Sequence, residues 1–556
     1  MRSFLRRLAL ASAFALAPLA VQAAVSNTAP IPPAATAAAS PARPAAPIRV
    51  GRISLVSGKA DFHAAGAAGW IAAVPNLPIA AGEALRTDPD ARAVIAIGPQ
   101  TLDLAPGSEM DIAGLDRDHI ALTLPHGRLR LHLRRLGTGE SAAVAISRGS
   151  VSLLAPGEYD IDSGDQTRPA RVAVFSGRAK VSGGADTTIA AGETATLSGD
   201  PGRSLSSGGP KARPVGREVA ATVARSAAAD DFDAWARAQD YQQAKLAAPY
   251  FISPEMTGYA ALDGHGKWES SAEYGPVWYP PGLPANWAPY RYGHWQRIAP
   301  WGWAWIDDQP WGFAPSHYGR WAVIDKRWAW VPGEFVAHPA YAPAAVAFLG
   351  TPGVGLSVAD SSVPAIGWFP LAPGEVYWPS YARNLDTVRA LNQGDVADPA
   401  AIALNPDGTP PVTVVTDHFA NRQMASVVPR PDFVAGHPVA PALLQLPPER
   451  LANAPVIMGS PRLGPAALPR PAVAVARAAP AEAAKRKSET VAARRKEKKP
   501  SHAAARRIVR ARPAFRHERR VRVAHLRAPA YAGRTLRERH FVAYHPERVL
   551  RRIHRR

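Results

Sequence analysis

Few residues in this 556-residue chain have the type and spacing for catalysis. Asp307 and Asp308 form the best carboxylate pair for acid and base work, yet adjacent acids in a proline-ended connector are ordinarily turn formers. His294 and His317 flank two Tyr-Gly-Xaa-Trp motifs and have metal-binding chemistry. No third ligand stands at a convincing spacing, so hydrogen bonding on a rim is the safer role. No Gly-Xaa-Ser-Xaa-Gly elbow, His-Glu-Xaa-Xaa-His pair, phosphate-binding loop or dinucleotide fingerprint occurs. The chain has no cysteine, which removes disulfides, thiolate metal sites, thiol nucleophiles and a cysteine-borne lipid anchor together. The reading is of a non-enzyme without catalytic, cofactor or metal residues.

What the chain does concentrate is indole. Eleven of its 15 tryptophans fall between Trp268 and Trp330. Exposed indole faces stack on the apolar faces of sugar rings, and the candidate surface for such binding is Trp287, Tyr292, Trp295, Trp301, Trp311, Tyr318 and Trp321, with His294 and His317 beside them. The same rings can instead build a core: each buries about 150–250 Å², worth at most about 4–6 kcal/mol at 25 cal/mol/Å². Both uses stay open at this point.

The segment that must position these residues repeats three times. Gly266-Lys-Trp268, Gly293-His-Trp295 and Gly319-Arg-Trp321 are each followed nine or ten residues later by Trp278, Trp305 and Trp330. Alternation within each copy, broken by Ala-Pro-Trp-Gly or Asp-Lys-Arg, predicts one two-stranded hairpin per copy. The prolines between copies predict extended connectors on a rim and exclude a helix there.

The net charge of +20 is a property of the C-terminal end, since residues 481–556 hold 25 Lys and Arg against six Asp and Glu. Residues 1–23 have a basic start, an apolar run from Leu8 to Ala20 and a Val21-Gln22-Ala23 cleavage site, which together read as a secretory signal peptide. No later stretch is long and apolar enough to span a membrane, so the mature chain is expected in the periplasm or the medium. Residues 24–48 are an Ala/Pro-rich disordered linker. From 49 to 198, short period-two runs separated by glycines, with small-Gly-acid turns at Ala81-Gly82-Glu83, Pro156-Gly157-Glu158 and Ala191-Gly192-Glu193, predict an all-β domain.

In order of appearance, Trp70, Ala81-Gly82-Glu83, Thr87-Asp88, Ala93–Ile97, Ser108–Ile112, Gly127, Pro156–Asp160 and Val172–Gly177 resemble the FecR family of bacterial envelope proteins. That resemblance implies a β-solenoid-like periplasmic domain of a kind that passes an iron-uptake signal inward. FecR regulators carry an anti-sigma segment and a membrane span ahead of the domain, whereas this sequence opens on the signal peptide. A linker is expected over 199–229 and a short helix over 230–249, with acids in its first turn where the helix dipole favours them.

Residues 250–435, through Ser253–Tyr259, Tyr274–Trp278, Trp287–Gly293, Pro310–Trp321 and Gly367–Glu375, resemble an uncharacterised family found behind FecR-like domains. No activity attaches to that family. A strand is expected at Val412–Thr416, a disordered Pro/Ala-rich linker over 436–480, and a basic disordered tail over 481–556. Tail affinity would be electrostatic, for lipopolysaccharide, wall polymer or acidic exopolysaccharide and not for specific nucleic acid. The sequence thus describes a mainly β, non-enzymatic exported protein that binds or scaffolds at the cell envelope, through a glycan, wall or protein ligand. The alternatives are a FecR-like ligand sensor relaying through a separate membrane partner, and an unrecognised glycan-active enzyme.

Overall fold

The computed structural model describes residues 49–199, 219–226, 229–244, 251–284, 286–350, 355–357, 364–382, 384–405, 419–457, 459–461 and 463. The signal peptide, the linker at 24–48, the strand expected at Val412–Thr416 and the basic tail lie outside them. Among the described residues the chain is mainly β.

Alternating burial builds the first domain. In His119–His126 and Ser141–Ile146 every second side chain is buried, as a sheet with one wet face requires. Two nine-stranded sheets result. One runs Ala220–Arg225, Glu193–Ser198, Ala170–Val174, Gly157–Asp162, Arg128–Leu133, Gln100–Leu104, Arg92–Ile97, Gly51–Ser57, Pro78–Ile79. The other runs Thr187–Ala190, Arg178–Ser182, Gly149–Leu153, Ser141–Ile146, His119–His126, Glu109–Leu115, Ala84–Thr87, Ala60–His63, Ile71–Ala72. The chain crosses between the sheets every one or two strands, so the domain grows along its length in the solenoid-like manner expected. Its inner side chains, among them Phe62, Ile95, Leu122, Val144 and Tyr159, are fully or almost fully buried.

Two expectations about linkers are corrected. Ala220–Arg225 is an edge strand of the first sheet, paired along its length with Glu193–Ser198, although its composition reads as linker. Past residue 436, Val439–Ala442 and Pro448–Asn453 are helical and Val456–Ile457 pairs with Val346–Leu349. A few buried anchors, Val439, Leu451, Val456 and Ile457, suffice to order a segment whose composition is otherwise that of a linker.

The helix Asp231–Ala244 lies on the outer face of the first sheet. Its start is a reciprocal cap: Asp230 Oδ1 accepts from the Phe232 and Asp233 amides, while Asp233 Oδ2 accepts from the Asp230 amide.

The repeats are hairpins: Lys267–Ser271 with Gly275–Tyr279, Gly293–Ile298 with Gly302–Asp307, and Arg320–Ile324 with Arg327–Val331. In each, two tryptophans sit directly opposite: Trp268 and Trp278, Trp295 and Trp305, Trp321 and Trp330. The leading glycine of each copy is explained by that pairing. A Cβ on Gly266 would stand 2.2 Å from the Trp278 ring, one on Gly293 would stand 2.7 Å from Trp305, and one on Gly319 would stand 2.8 Å from Trp330. The second-strand indole of every copy folds back over its own glycine. The turn at Asp325-Lys326 has both residues at positive φ, the backbone of a tight two-residue hairpin loop.

A helix was excluded between copies, yet Phe313–His317 forms one. Pro315 is its third residue, where the missing amide hydrogen has no intrahelical partner to lose. A four-stranded sheet of Ser426–Pro429, Ala365–Pro370, Val346–Leu349 and Val456–Ile457 completes the body.

Candidate binding cleft and the placement of the aromatic residues

Seven of the nine residues read as a binding surface are core. Trp287, Trp295, Trp301, Trp311, Tyr318, Trp321 and His317 are all buried. Their rings meet one another: Trp287 lies 5.9 Å from Trp311 and 5.6 Å from Trp321, and Trp295 lies 5.5 Å from Trp305 and 5.4 Å from Trp368. Several indole N–H groups are satisfied internally, Trp305 by Asp307 Oδ2 at 2.9 Å, Trp321 by Pro315 O at 2.9 Å and Trp330 by Tyr318 O at 2.8 Å. As folded, these rings offer no face to a sugar. Burial wins because one buried indole outweighs a stacking contact several times over.

Tyr292 and His294 remain half-buried. The Tyr292 hydroxyl donates to Asn286 Oδ1 at 3.3 Å. Burial lowers the His294 pKa, against the pull of the Asp308 carboxylate. His317 is a neutral core histidine: burial holds its pKa down to about 3, and its Nδ1 pairs with Ala342 O at 2.8 Å.

Of the candidate acid pair, Asp307 has a structural role. Asp307 is buried, its carboxylate takes the Trp305 indole and the Gln309 amide, and burial raises its pKa to about 7. Its carbonyl accepts from Asn76 Nδ2 at 2.7 Å. Asn76 Oδ1 in turn accepts from Arg52 Nε at 2.8 Å, so the pair ties the hairpin module to the β domain. Thr257 adds a second tie, donating to Val50 O and accepting from the Gly98 amide. Val50, Ile53, Tyr290, Trp305 and Trp330 belong to one continuous hydrophobic core. No seam separates what the sequence reads as two domains.

A shallow cleft opens beside the third hairpin, enclosing about 30 Å³. Phe251, Met256, Phe335 and Val336 supply its apolar wall, and Glu334 and Gln393 stand at its mouth. Phe335 is 57% exposed, unusual for so large an apolar ring. Arg320 sits at the cleft but is committed elsewhere: it donates to Asp395 Oδ2 at 2.7 Å, Asn392 Oδ1 at 2.9 Å, Gly319 O and Glu375 O. Two of the candidate residues, His317 and Tyr318, line this cleft from the Pro310–Trp321 motif, but the rest of its wall, residues 332–342 and 390–395, carries no motif that would announce it. In those residues a phenylalanine in a loop was the one signal available.

Residues 259–375 match DUF6600, a family of unknown function, narrower than the 250–435 that the resemblance implies. No FecR family model matches the β domain. No curated protein matches the chain. Two crystal structures of a proposed anti-sigma factor from Parabacteroides distasonis ATCC 8503, at 2.50 and 1.65 Å resolution, align at 13% and 12% identity with a TM-score of 0.20 each. Both alignments cover 25% of this chain and 58% of that one, under two thirds of its length, and a score so low carries no argument about fold or role. Among the described residues, no helix is long and apolar enough to cross a membrane.

Proposed function

We propose that this chain is an exported, non-enzymatic protein that binds or scaffolds at the bacterial cell envelope, with the Phe335 cleft as its recognition site and the basic C-terminal end as its tether. The observation that carries this reading is the contrast between buried polar side chains already committed to the fold and an open aromatic ring. Asp307, His317 and Arg320 each hold backbone or core partners, while a bare aromatic ring stands open to solvent at a cleft on the segment that matches the family. An apolar wall with polar groups at its mouth suits a polymer or protein segment with alternating apolar and hydrogen-bonding groups. The 25 basic residues of 481–556 add attraction for anionic envelope material that falls as salt rises.

The test is co-sedimentation of the full chain with lipopolysaccharide vesicles and with purified wall polymer. Removing residues 481–556 is expected to abolish the salt-sensitive part of binding. Phe335→Ala is expected to weaken the salt-resistant part about five- to tenfold, as loss of one buried ring face does, with an unchanged melting temperature. Binding untouched by either change would sink the proposal.

A further inference from the structure

Beneath the helix Asp231–Ala244 lies a charge arrangement that envelope binding does not use. Along the outer face of the first sheet, Asp103 stands directly across from Arg130, and Arg130 across from Asp160. Left alone, such a row pairs the guanidinium with a flanking carboxylate. It does not do so here. Arg130 Nη1 donates to Asp233 of the helix at 2.9 Å and Nη2 donates to Glu158 at 2.5 Å. Asp103 is left fully buried with neither carboxylate oxygen partnered.

A second carboxylate, Asp240, comes from the C-terminal half of the helix and is 7% exposed. Its Oδ1 takes Arg134 Nη2 at 2.8 Å and stands 3.1 Å from His132 Nδ1, while its Oδ2 has no partner. Two neighbouring buried acids with bare oxygens cannot both ionise cheaply. Burial, reinforced by the charge of Asp240, raises the pKa of Asp103 well above the usual carboxylate range. Helix and sheet therefore compete for one guanidinium: Asp233 holds Arg130 while the helix is down, and an ionised Asp103 would reclaim it.

We propose that the helix Asp231–Ala244 is a proton-gated strap on the β domain, clamped while Asp103 carries a proton and loosened when that proton leaves to solvent. Loosening returns Arg130 to Asp103 and uncovers a basic strip of Arg130, His132 and Arg134 beside Phe175, whose ring lies 4.6 Å from the Arg130 guanidinium carbon.

The other charged groups at this contact set its limits. Arg128 holds Asp160 and the helix start, through Asp230 and Asp233. Burial raises Asp160 to about 6 despite Arg128; both belong to the sheet, so protonating Asp160 leaves Asp230 and Asp233 of the helix as the partners of Arg128. Arg92 lies against Trp235, and Arg237 lies over Phe175. Arg134 also donates to Pro99 O and Thr101 Oγ1. Tyr259 lies close enough to feel its charge, and Glu255 is held by Arg49. His132 faces Asp240 from the strand, on the same side as Arg130 and Arg134.

The sign follows from proton count. The closed state holds the Asp103 proton to higher pH than the open state, where the carboxyl is solvated. Closure is thus complete in acid, weakens as pH rises above about 4, and stops weakening once Asp103 ionises in the closed state.

Since the chain has no cysteine, single cysteines report opening in the full-length protein. Ala236→Cys places a thiol on the buried face of the helix, and Ala234→Cys places one on its exposed face as the reference for intrinsic thiol reactivity. Between about pH 5 and pH 9, the ratio of their labelling rates is expected to rise by up to tenfold per pH unit and then level off. Asp103→Asn, which has no proton to lose, is expected to make the ratio low and flat. Hydrogen exchange of the 231–244 amides, corrected for intrinsic rate, repeats the comparison without the cysteines. If Asp103→Asn misfolds, Asp240→Asn is expected to reduce the slope whatever its effect on the absolute rate. A ratio independent of pH in the Asp103 chain, or an undiminished slope in both variants, overturns the strap.

Discussion

A glycine and an indole make the smallest unit of this structure. At Gly266 no left-handed backbone is involved, and the constraint is contact alone: the missing methyl group would stand 2.2 Å from the Trp278 ring. Gly266→Ala is therefore expected to cost about 1–3 kcal/mol by overpacking. Trp305→Ala, at a fully buried ring, is expected to cost about 3–5 kcal/mol. Thermal or urea unfolding measures both, and a Trp305→Ala protein that melts like its parent would return the indoles to the surface role. The spacing of the Gly-Xaa-Trp motifs is enough to give away three hairpins. It does not say which way the indoles face, because alternation marks two faces of a strand without saying which one a neighbouring segment will cover. The covering segments here are residues 341–349, 365–371 and 426–435, whose aromatic residues are too scattered to announce the pairing.

A turn recurs among the elements with the pattern Xaa-Xaa-Gly-Glu. At Ala80–Glu83, Gly137–Glu140, Ala190–Glu193 and Ala372–Glu375 the glutamate carboxylate accepts the amide of the residue three earlier, at 2.6–2.8 Å. In all four the preceding glycine has φ between 83° and 86°, the left-handed position of a type II turn that only glycine fills freely. The sequence shows two of these as small-Gly-acid punctuation and hides two, while its third example is different in kind: Glu158 of Pro156-Gly157-Glu158 goes to Arg130 instead. Glu375 shows the strongest clamp, since its other oxygen accepts the Ala420 amide at 2.8 Å. Glu375→Ala is expected to cost about 1–3 kcal/mol by leaving two amides unpaired, and Glu375→Gln, which keeps an acceptor, less than half of that. The helix Asp231–Ala244 was legible from its capping acids. Its docking was not, although Arg128, Arg130, His132 and Arg134 alternate along one strand face and Asp230, Asp233 and Asp240 recur at helical spacing. Matching the two periods across a hundred residues needs the topology first.

For the molecule as a whole, burial of acids sets the pH response. Burial raises Glu83 to about 8, Asp307 to about 7, and Asp111, Asp160 and Asp395 to about 6. A carboxyl whose folded pKa lies above its unfolded one stabilises the fold below the unfolded value and loses that contribution as pH rises through the folded value. Stability should therefore climb as pH falls from about 8.5 to about 5.5, the reverse of ordinary acid denaturation. The melting temperature across that window checks it, and Asp307→Asn should flatten the rise between pH 5.5 and 7. Because the β domain and the hairpin module share one core, the described body should melt in a single calorimetric transition.

The four-stranded sheet at the C-terminal side bears on where this protein can be cut. The matched family segment ends at residue 375, inside the span that closes that sheet: Val346–Leu349 and Ala365–Pro370 lie within it, while their outer partners Val456–Ile457 and Ser426–Pro429 lie beyond. A fragment trimmed to the match would keep a hairpin of apolar strands with both edges bare, which invites edge-to-edge association between molecules. Its other flank would lose Val50, Ile53 and the Arg52–Asn76 tie. The segment that matches the family is therefore smaller than the packed unit around it, and it draws on its flanks for borrowed strands and borrowed core.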